Sequence, residues 1–283
     1  MRRARRSRDA GERCDRLPSM AAGVKSFDRV ADHYDATRAI PQDALAAVTD
    51  GIVRTLRQVA GTPAVLEVGI GTGRIAVPLA VAGVRMVGVD VAPAMLAQLR
   101  AKRAELPVAM ASALALPFPA RTFDAVLFVH LLHLLPDAGE GLRAARGVVR
   151  PDGLLLYGRT DHSESARREV FARVREIVRE LIGVDLGGEW HAKADRAFTD
   201  TARDLGVPVV QTVLARWTEQ ATGRQLIEAF ERRLYSSIWA IPDAVMPDLL
   251  ARLTPRVEQM LGGLDRPLEN DATFTLVSAR LPR

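Results

Sequence analysis

The 283-residue sequence contains a single cysteine, Cys14. That scarcity excludes an internal disulfide. With no Cys/His cluster elsewhere, it also argues against a structural zinc site, and no metal is expected. No apolar run is long enough to span a bilayer, so no membrane partner is expected. The arginine-rich start has no apolar stretch behind it and is not read as a secretory or twin-arginine signal. The expected compartment is the cytoplasm. Excess charge is also missing, except in one place. The formal net charge is +5, yet residues 1–19, "MRRARRSRDAGERCDRLPS", hold seven arginines against three acids. The remainder is left near +1, which is not the electrostatic footprint of a phosphate-backbone binder. Nucleic acid is therefore not an expected partner. The tail, charge-rich and poor in apolar residues, is expected to be disordered. Met20 opens "MAAGVKSFDRVADHYD", which reads as an alternative start, in which case 1–19 would not belong to the native protein.

What is present is a rhythm. "SFDRVADHYDATRAI" and "QDALAAVTDGIVRTLRQVAG" read as helices, the second with Leu45, Val48, Ile52, Leu56 and Val59 at helical spacing. Strand-like runs "AVLEVG", "RMVGVD", "PVAMAS", "FDAVLFVH" and "LLLYGR" then alternate with helices "RIAVPLAVAG", "APAMLAQLRAKRAE" and "AGEGLRAARGVVR", with "PDG" as a turn before the fifth strand. Near-continuous apolar strands spaced by helices predict a parallel sheet covered on both faces. After Arg159 the pattern changes. "SESARREVFARVREIVRELIG", "AKADRAFTDTARDLG", "GRQLIEAFERRLYSSIW" and "DAVMPDLLARLTPRVEQML" read as helices, while "VPVVQTVLARW" and "ATFTLVSARL" read as strands that pair antiparallel at the sheet edge. The helices after residue 160 and those between the last two strands are expected to cap the ligand cleft.

Open sheets of this kind bind ligands beyond the carboxyl ends of their strands, where the strand order reverses. "VLEVGIGTGRIAVPLA" lies at such an end. Gly69, Gly71 and Gly73 permit close backbone approach to a ligand, and the following helix N-terminus favours a polar or anionic group. The spacing is G-x-G-x-G, shorter than the dinucleotide fingerprint G-x-G-x-x-G, and Glu67 precedes it. The turn alone leaves a dinucleotide, a smaller nucleoside and a plain strand–helix turn open. Asp90 ends the second strand 17 residues after Gly73. A carboxylate there can accept from two ribose hydroxyls and disfavours a phosphorylated ribose, although "DVAPAM" also suits a helix N-cap.

Together "VLEVGIGTGRIAVPLA", "VGVDVAPAML", "ALALPFPARTFDAVLFVHLLHLLPD" and "VVRPDGLLLYGR" resemble, in order and spacing, the class I S-adenosylmethionine-dependent methyltransferases. The likeness is strongest to the small-molecule type with a "FDRVADHYDATR" leader, and it covers about residues 26–160. It implies a Rossmann-like, doubly wound α/β fold: a mostly parallel seven-stranded sheet with an antiparallel last strand and a helical cap. The implied parts are a basic tail (1–19), a helical leader (20–60), a donor-binding core (61–160), a helical cap (161–206), and edge strands with inserted cap helices (207–283). The implied cofactor is S-adenosylmethionine. Gly69, Gly71 and Gly73 would pass under its methionine part, with Glu67 orienting the amino group. Asp90 would hold the ribose, and Val91, Met95, Ser112, Ala113 and Leu114 would border the adenine. The family often carries an aspartate where this chain has Ser112. Phe128, Val129 and His130 would lie beside the sulfonium. Tyr34 and Arg38 would close over the donor, Arg38 pairing with its carboxylate.

Methyl transfer needs alignment and exclusion of water more than a dedicated base. His130, at a strand end facing the cleft, is the candidate base or orienting group, set against a plain hydrogen-bonded histidine. His133, in an apolar run, reads as structural. Asp161 and His162 could meet the acceptor or cap a helix. Trp190, His191, Arg233, Tyr235 and Trp239 are candidates for an acceptor pocket, at most two of them being expected there. "FDAVLFVH" lacks the Asn- or Asp-Pro-Pro-aromatic run of nucleic-acid amino-methyltransferases. The expected function is methyl transfer to a small-molecule acceptor at O, N or C. The alternatives are a non-catalytic S-adenosylmethionine or nucleoside binder and an NAD-dependent oxidoreductase.

Overall fold

The computed structural model describes residues 27–162, 166–187 and 190–283. The basic tail and the alternative start at Met20 lie outside them. The leader is a 3-10 turn, Asp28–Val30, running into α1 (Ala31–Thr37), and then α2 (Gln42–Leu56). The core follows as β1 (Ala64–Val68), α3 (Ala76–Val81), β2 (Arg85–Asp90), α4 (Pro93–Lys102), β3 (Val108–Met110), β4 (Phe123–Val129), α5 (Ala138–Val148) and β5 (Val149–Asp161). The remainder is α6 (Ala166–Ile182), α7 (Trp190–Asp204), β6 (Val209–Ala221), α8 (Gly223–Glu231), α9 (Met246–Leu261) and β7 (Leu268–Arg280).

The strands form one sheet in the order β3-β2-β1-β4-β5-β7-β6. β1 runs parallel to β2 and β4, β2 to β3, and β4 to β5. β7 enters antiparallel between β5 and β6. The Rossmann-like α/β architecture expected from the βαβ rhythm is the one observed, including the antiparallel last strand. The order reverses beside β1, where the β1–β4 pair leaves a crevice at its carboxyl end.

Alternation along each strand sends successive side chains to opposite faces. Val65, Ala125, Leu127, Leu154 and Leu156 pack with α2 and α3 on one face. Leu66, Val126, Phe128, Leu155 and Tyr157 pack with α5 and α7 on the other. Both faces are dry, which is why these strands read as unbroken apolar runs. A third cluster stands apart: Val174 and Val178 of α6, Phe230 of α8, and Leu249, Leu253 and Val257 of α9. The two helices expected to form one cap therefore part company. α6 packs with α9, whereas α7 sends Ala194, Phe198 and Ala202 into the core against the sheet.

Two local readings need correction. "PDG" is not a turn before the fifth strand but an irregularity within β5, where pairing with β4 shifts register and Asp152 takes φ +65°. Nor does the "GRQLIEAFERRLYSSIW" helix reach Tyr235 or Trp239. α8 stops at Glu231, where Arg233 adopts φ +52°, its amide donates to the Phe230 carbonyl, and the Leu234 amide donates to the Ala229 carbonyl. This is a Schellman ending with arginine in the position glycine usually occupies, so no sequence signal marks it.

Among the described residues no helix is long and apolar enough to cross a membrane. No group of three or more His, Cys, Asp or Glu residues among them could hold a metal ion.

Candidate functional site

The site begins where β1 ends. The amides of Gly69 and Ile70 both donate to the Val89 carbonyl of β2, at 2.8 and 3.0 Å, which ties the turn to the neighbouring strand. Gly69, Gly71 and Gly73 have φ of +74°, +55° and +77°, a region that costs other L-residues about 1–2 kcal/mol. Space is equally restrictive. A Cβ on Gly73 would sit 2.9 Å from Val77 Cγ2 and 3.0 Å from Leu99 Cδ1. Gly73→Ala is therefore expected to destabilise the fold by about 2–4 kcal/mol, from backbone strain and overpacking together. Urea unfolding checks this; a midpoint equal to wild type contradicts it.

Asp90, the last residue of β2, turns its carboxylate back on the glycine turn. The Gly71 amide donates to its Oδ2 at 2.8 Å and the Ala92 amide to its Oδ1 at 2.9 Å. Each oxygen keeps lone-pair capacity for a further donor. Burial raises the Asp90 pKa, and the backbone hydrogen bonds from Ala92, Gly71 and Val91 oppose that rise. Glu67 is only 2% exposed, and its Oε2 has no hydrogen-bond partner. Burial pushes its pKa up to about 8, with the Arg74 cation opposing and the Asp90 charge assisting.

The leader lies across this turn. Three aspartates at helical spacing engage α4: Asp28 accepts from the Ala94 amide at 2.8 Å, Asp32 accepts from Gln98 Nε2 at 2.8 Å, and Asp35 pairs with Lys102. Asp35 also accepts from Thr72 Oγ1 at 2.5 Å, and the Arg74 guanidinium donates to the Arg38 carbonyl. Arg38 itself lies over the Tyr34 ring at 5.6 Å and the Tyr235 ring at 4.9 Å.

His130 follows β4 with φ +52°, its amide bonded to the Gly158 carbonyl at 3.1 Å. Its Nε2 lies 3.2 Å from Thr160 Oγ1. Desolvation, and then the charges of Arg74, His133, His191 and Arg38, hold its pKa well below the ordinary value, so the imidazole is neutral at pH 7. His133 sits edge-on to His191, with ring centroids 5.5 Å apart. At the end of β5 the buried Arg159 bonds Asp195 at 3.0 Å and Asp161 at 3.2 Å.

One cleft joins most of the expected donor residues: Tyr34, Gly69, Gly71, Asp90, Val91, Met95, Ser112 and Ala113, with Val129 and His130 at its other side. Gly73 lies behind the turn, against Val77 and Leu99. Leu114 packs in the core, its amide held by Ser112 Oγ at 3.2 Å. Phe128 is not at the cleft: it is 0% exposed and points into the α5 and α7 face, because strand alternation gives the cleft to Val129 instead. Phe27, Ala111, Leu131, Leu134 and Leu135 also line the cleft and were missed. They are apolar residues in loops or at element ends, with no motif to mark them.

The acceptor candidates do not converge. His162 Nδ1 lies 3.8 Å from Glu219 Oε1. Tyr235 packs on Phe171 and Arg38, and Trp239 packs on Phe27. Arg233 is committed to its own loop, donating to the Ile241 carbonyl at 2.6 Å. Trp190 opens α7, but its side chain lies outside the described part of the chain.

The orphaned Glu67 oxygen and the spare capacity of Asp90 suit an ammonium and a pair of hydroxyls, as in the expected donor. Residues 66–157 match the family model described as a methyltransferase domain. A demethylmenaquinone methyltransferase of Tropheryma whipplei is 32% identical over 140 residues, covering 49% of this chain and 59% of that protein. The chain thus spans less than two thirds of that relative's length. The 27-O-demethylrifamycin SV methyltransferase of Amycolatopsis mediterranei is 28% identical over 198 residues, covering 67% of this chain and 72% of that protein. A structure from Anabaena variabilis, described as a methyltransferase from an antibiotic biosynthesis pathway, shares the fold. Its TM-score is 0.55 at 14% identity, covering 82% of this chain and 97% of that chain. Residues 66–157 thus resemble a methyltransferase domain, and they lie within a Rossmann-like seven-stranded sheet of order β3-β2-β1-β4-β5-β7-β6.

Proposed function

We propose that this protein transfers the methyl group of S-adenosylmethionine to a small-molecule acceptor at O, N or C. The observation that carries the reading is the Asp90 carboxylate at the cleft, held by the Gly71 amide of the glycine turn and by the Ala92 amide at the start of α4. When bound, the donor supplies an electrophilic methyl on a sulfonium. Asp90 accepts from the ribose hydroxyls, and its own negative charge disfavours a ribose phosphate. Glu67 accepts from the donor's amino group, which favours its ionised form and reverses the effect of burial. Val91 and Met95 hold the adenine, while Ser112 and Ala113 border it. Arg38 stands at the leader end, where it can meet the donor's carboxylate. Phe27 and Tyr34 exclude water from above.

His130 faces the acceptor side. In the tautomer whose Nε2–H donates to Thr160, Nδ1 keeps its lone pair for a proton of the acceptor. His130→Ala is expected to leave donor affinity within about twofold and to cut turnover about a hundredfold, the low end of general-base contributions. Weaker donor binding with normal turnover would contradict that role.

The names of the two relatives support a small organic acceptor, as does the near-neutral charge outside residues 1–19. Methyl-labelled S-adenosylmethionine incubated with fractionated cell extract tests the proposal. Label is expected in the small-molecule fraction. Label in nucleic acid or protein, or none in any fraction despite donor binding, would contradict it.

A further inference from the structure

Two aromatic side chains of the leader, Phe27 and Tyr34, wall the donor cleft. Each is backed by an aromatic residue from the loop that follows α8, residues 232–243. Trp239 meets Phe27 directly, with ring centroids 4.8 Å apart, and the Arg29 guanidinium lies over its ring at 5.9 Å. Tyr235 meets Tyr34 through Arg38, which lies over both rings. Neither Trp239 nor Tyr235 is among the residues lining the cleft itself.

The backing residues are held firmly. Trp239 Nε1 donates to the Arg233 carbonyl at 2.7 Å, which fixes the plane of the indole. The Arg233 side chain, 11% exposed, bonds the Ile241 carbonyl and pairs with Asp243 at 2.7 Å, closing the loop on itself. Ile238 and Ile241 anchor the same loop in the α6–α8–α9 cluster. On the leader side, Phe27 and Tyr34 pack with Ala31, Ala92 and Met95 and meet each other edge-on at 5.8 Å. Aromatic contacts of this kind add stabilisation beyond the area they bury, and cation–π contacts act similarly. Opening of these contacts would free Phe27 and Tyr34 to move away from the cleft they wall.

We propose that Trp239 is a positioning residue for the donor: acting through Phe27, it latches the leader to the cap and so sets how long the donor stays bound. The inference rests on the donor reading above, since the cleft must hold S-adenosylmethionine for the latch to matter. It also assigns Trp239 a task other than contact with the acceptor. The latch joins the donor wall to the helices of the third cluster, so rearrangement there is felt as a change in donor retention.

The test is a chase. The full-length protein is loaded with labelled S-adenosylmethionine, an excess of unlabelled compound is added, and loss of label is timed. Trp239→Ala should release the donor at least fivefold faster, and Trp239→Phe, which keeps an aromatic face against Phe27, should restore most of the retention. Phe27→Leu should release faster as well, and the double variant Phe27→Leu/Trp239→Ala should be no faster than the quicker single variant, because both remove one contact. Should Trp239→Ala fail to fold by circular dichroism, Tyr235→Leu reads the second contact and should also speed release. Release rates within twofold of wild type in the folded variants, or single effects that multiply in the double, would overturn the latch. A wild-type protein that retains no labelled S-adenosylmethionine would instead overturn the donor reading, and the latch with it.

Discussion

Asp90→Ala is expected to weaken S-adenosylmethionine binding at least tenfold, about 1.5 kcal/mol, the scale of hydrogen bonds made to a charged group. Two losses combine. The ribose hydroxyls of the proposed donor lose their acceptor, and the backbone loses its partners: the Gly71 amide loses the oxygen that holds the glycine turn at 2.8 Å, and the Ala92 amide at the start of α4 loses its partner at 2.9 Å. Asp90→Asn separates them. An amide offers one acceptor oxygen, and its NH2 group would face one of those two amide donors, so the turn is disturbed even though the shape is kept. Asn should therefore recover little of the affinity. The measurement is calorimetric titration of each variant, alongside thermal melting to confirm folding. An unchanged dissociation constant in a folded Asp90→Ala protein would remove Asp90 from the site.

Glu67→Gln is expected to change how stability depends on pH. The unfolded carboxyl titrates near 4.5, and burial carries the folded one to about 8. Between those values the native protein holds a proton that the unfolded chain has released. Rising pH therefore favours unfolding across that window. The stability tied to this proton is fully present below about 4.5 and is lost as pH rises through about 8, at a slope on the order of 1.4 kcal/mol per pH unit. Glutamine does not titrate. Relative to wild type, the variant should gain stability steadily from pH 5 to pH 8, by several kcal/mol in all on the order of that slope. Urea midpoints at pH 5, 6.5 and 8 check this. Profiles that stay parallel would mean that Glu67 titrates normally in the folded state. On the proposed reading the same variant should bind the donor more weakly, because a neutral amide replaces the carboxylate assigned to its ammonium.

The parts of the molecule legible in the sequence are those governed by local rules. Strands from β1 to β5 announced themselves because both faces of a parallel sheet are dry, and the glycine turn because its backbone angles and close contacts exclude other residues. Asp90 was readable from its distance to that turn. Of Phe128, Val129 and His130, grouped together at the end of β4, only Val129 and His130 reach the cleft: an almost wholly apolar strand carries no alternation to show which side chains face it. The end of α8 was invisible because Arg233 takes a left-handed conformation that the sequence normally signals with glycine. That hidden turn brings Trp239 back onto Phe27, a contact 212 positions apart in the chain that no spacing rule reports. The partition of α6 and α7 between two clusters was likewise set by tertiary packing, since both are amphipathic helices with similar charged faces.

The central claim is that the cleft holds a sulfonium nucleoside and not a dinucleotide. Titration calorimetry with S-adenosylmethionine, S-adenosylhomocysteine and NAD, under one set of conditions, tests it most directly. The account predicts binding of the first two, each abolished or weakened at least tenfold by Asp90→Ala, and no binding of NAD. Binding of NAD without S-adenosylmethionine would contradict it.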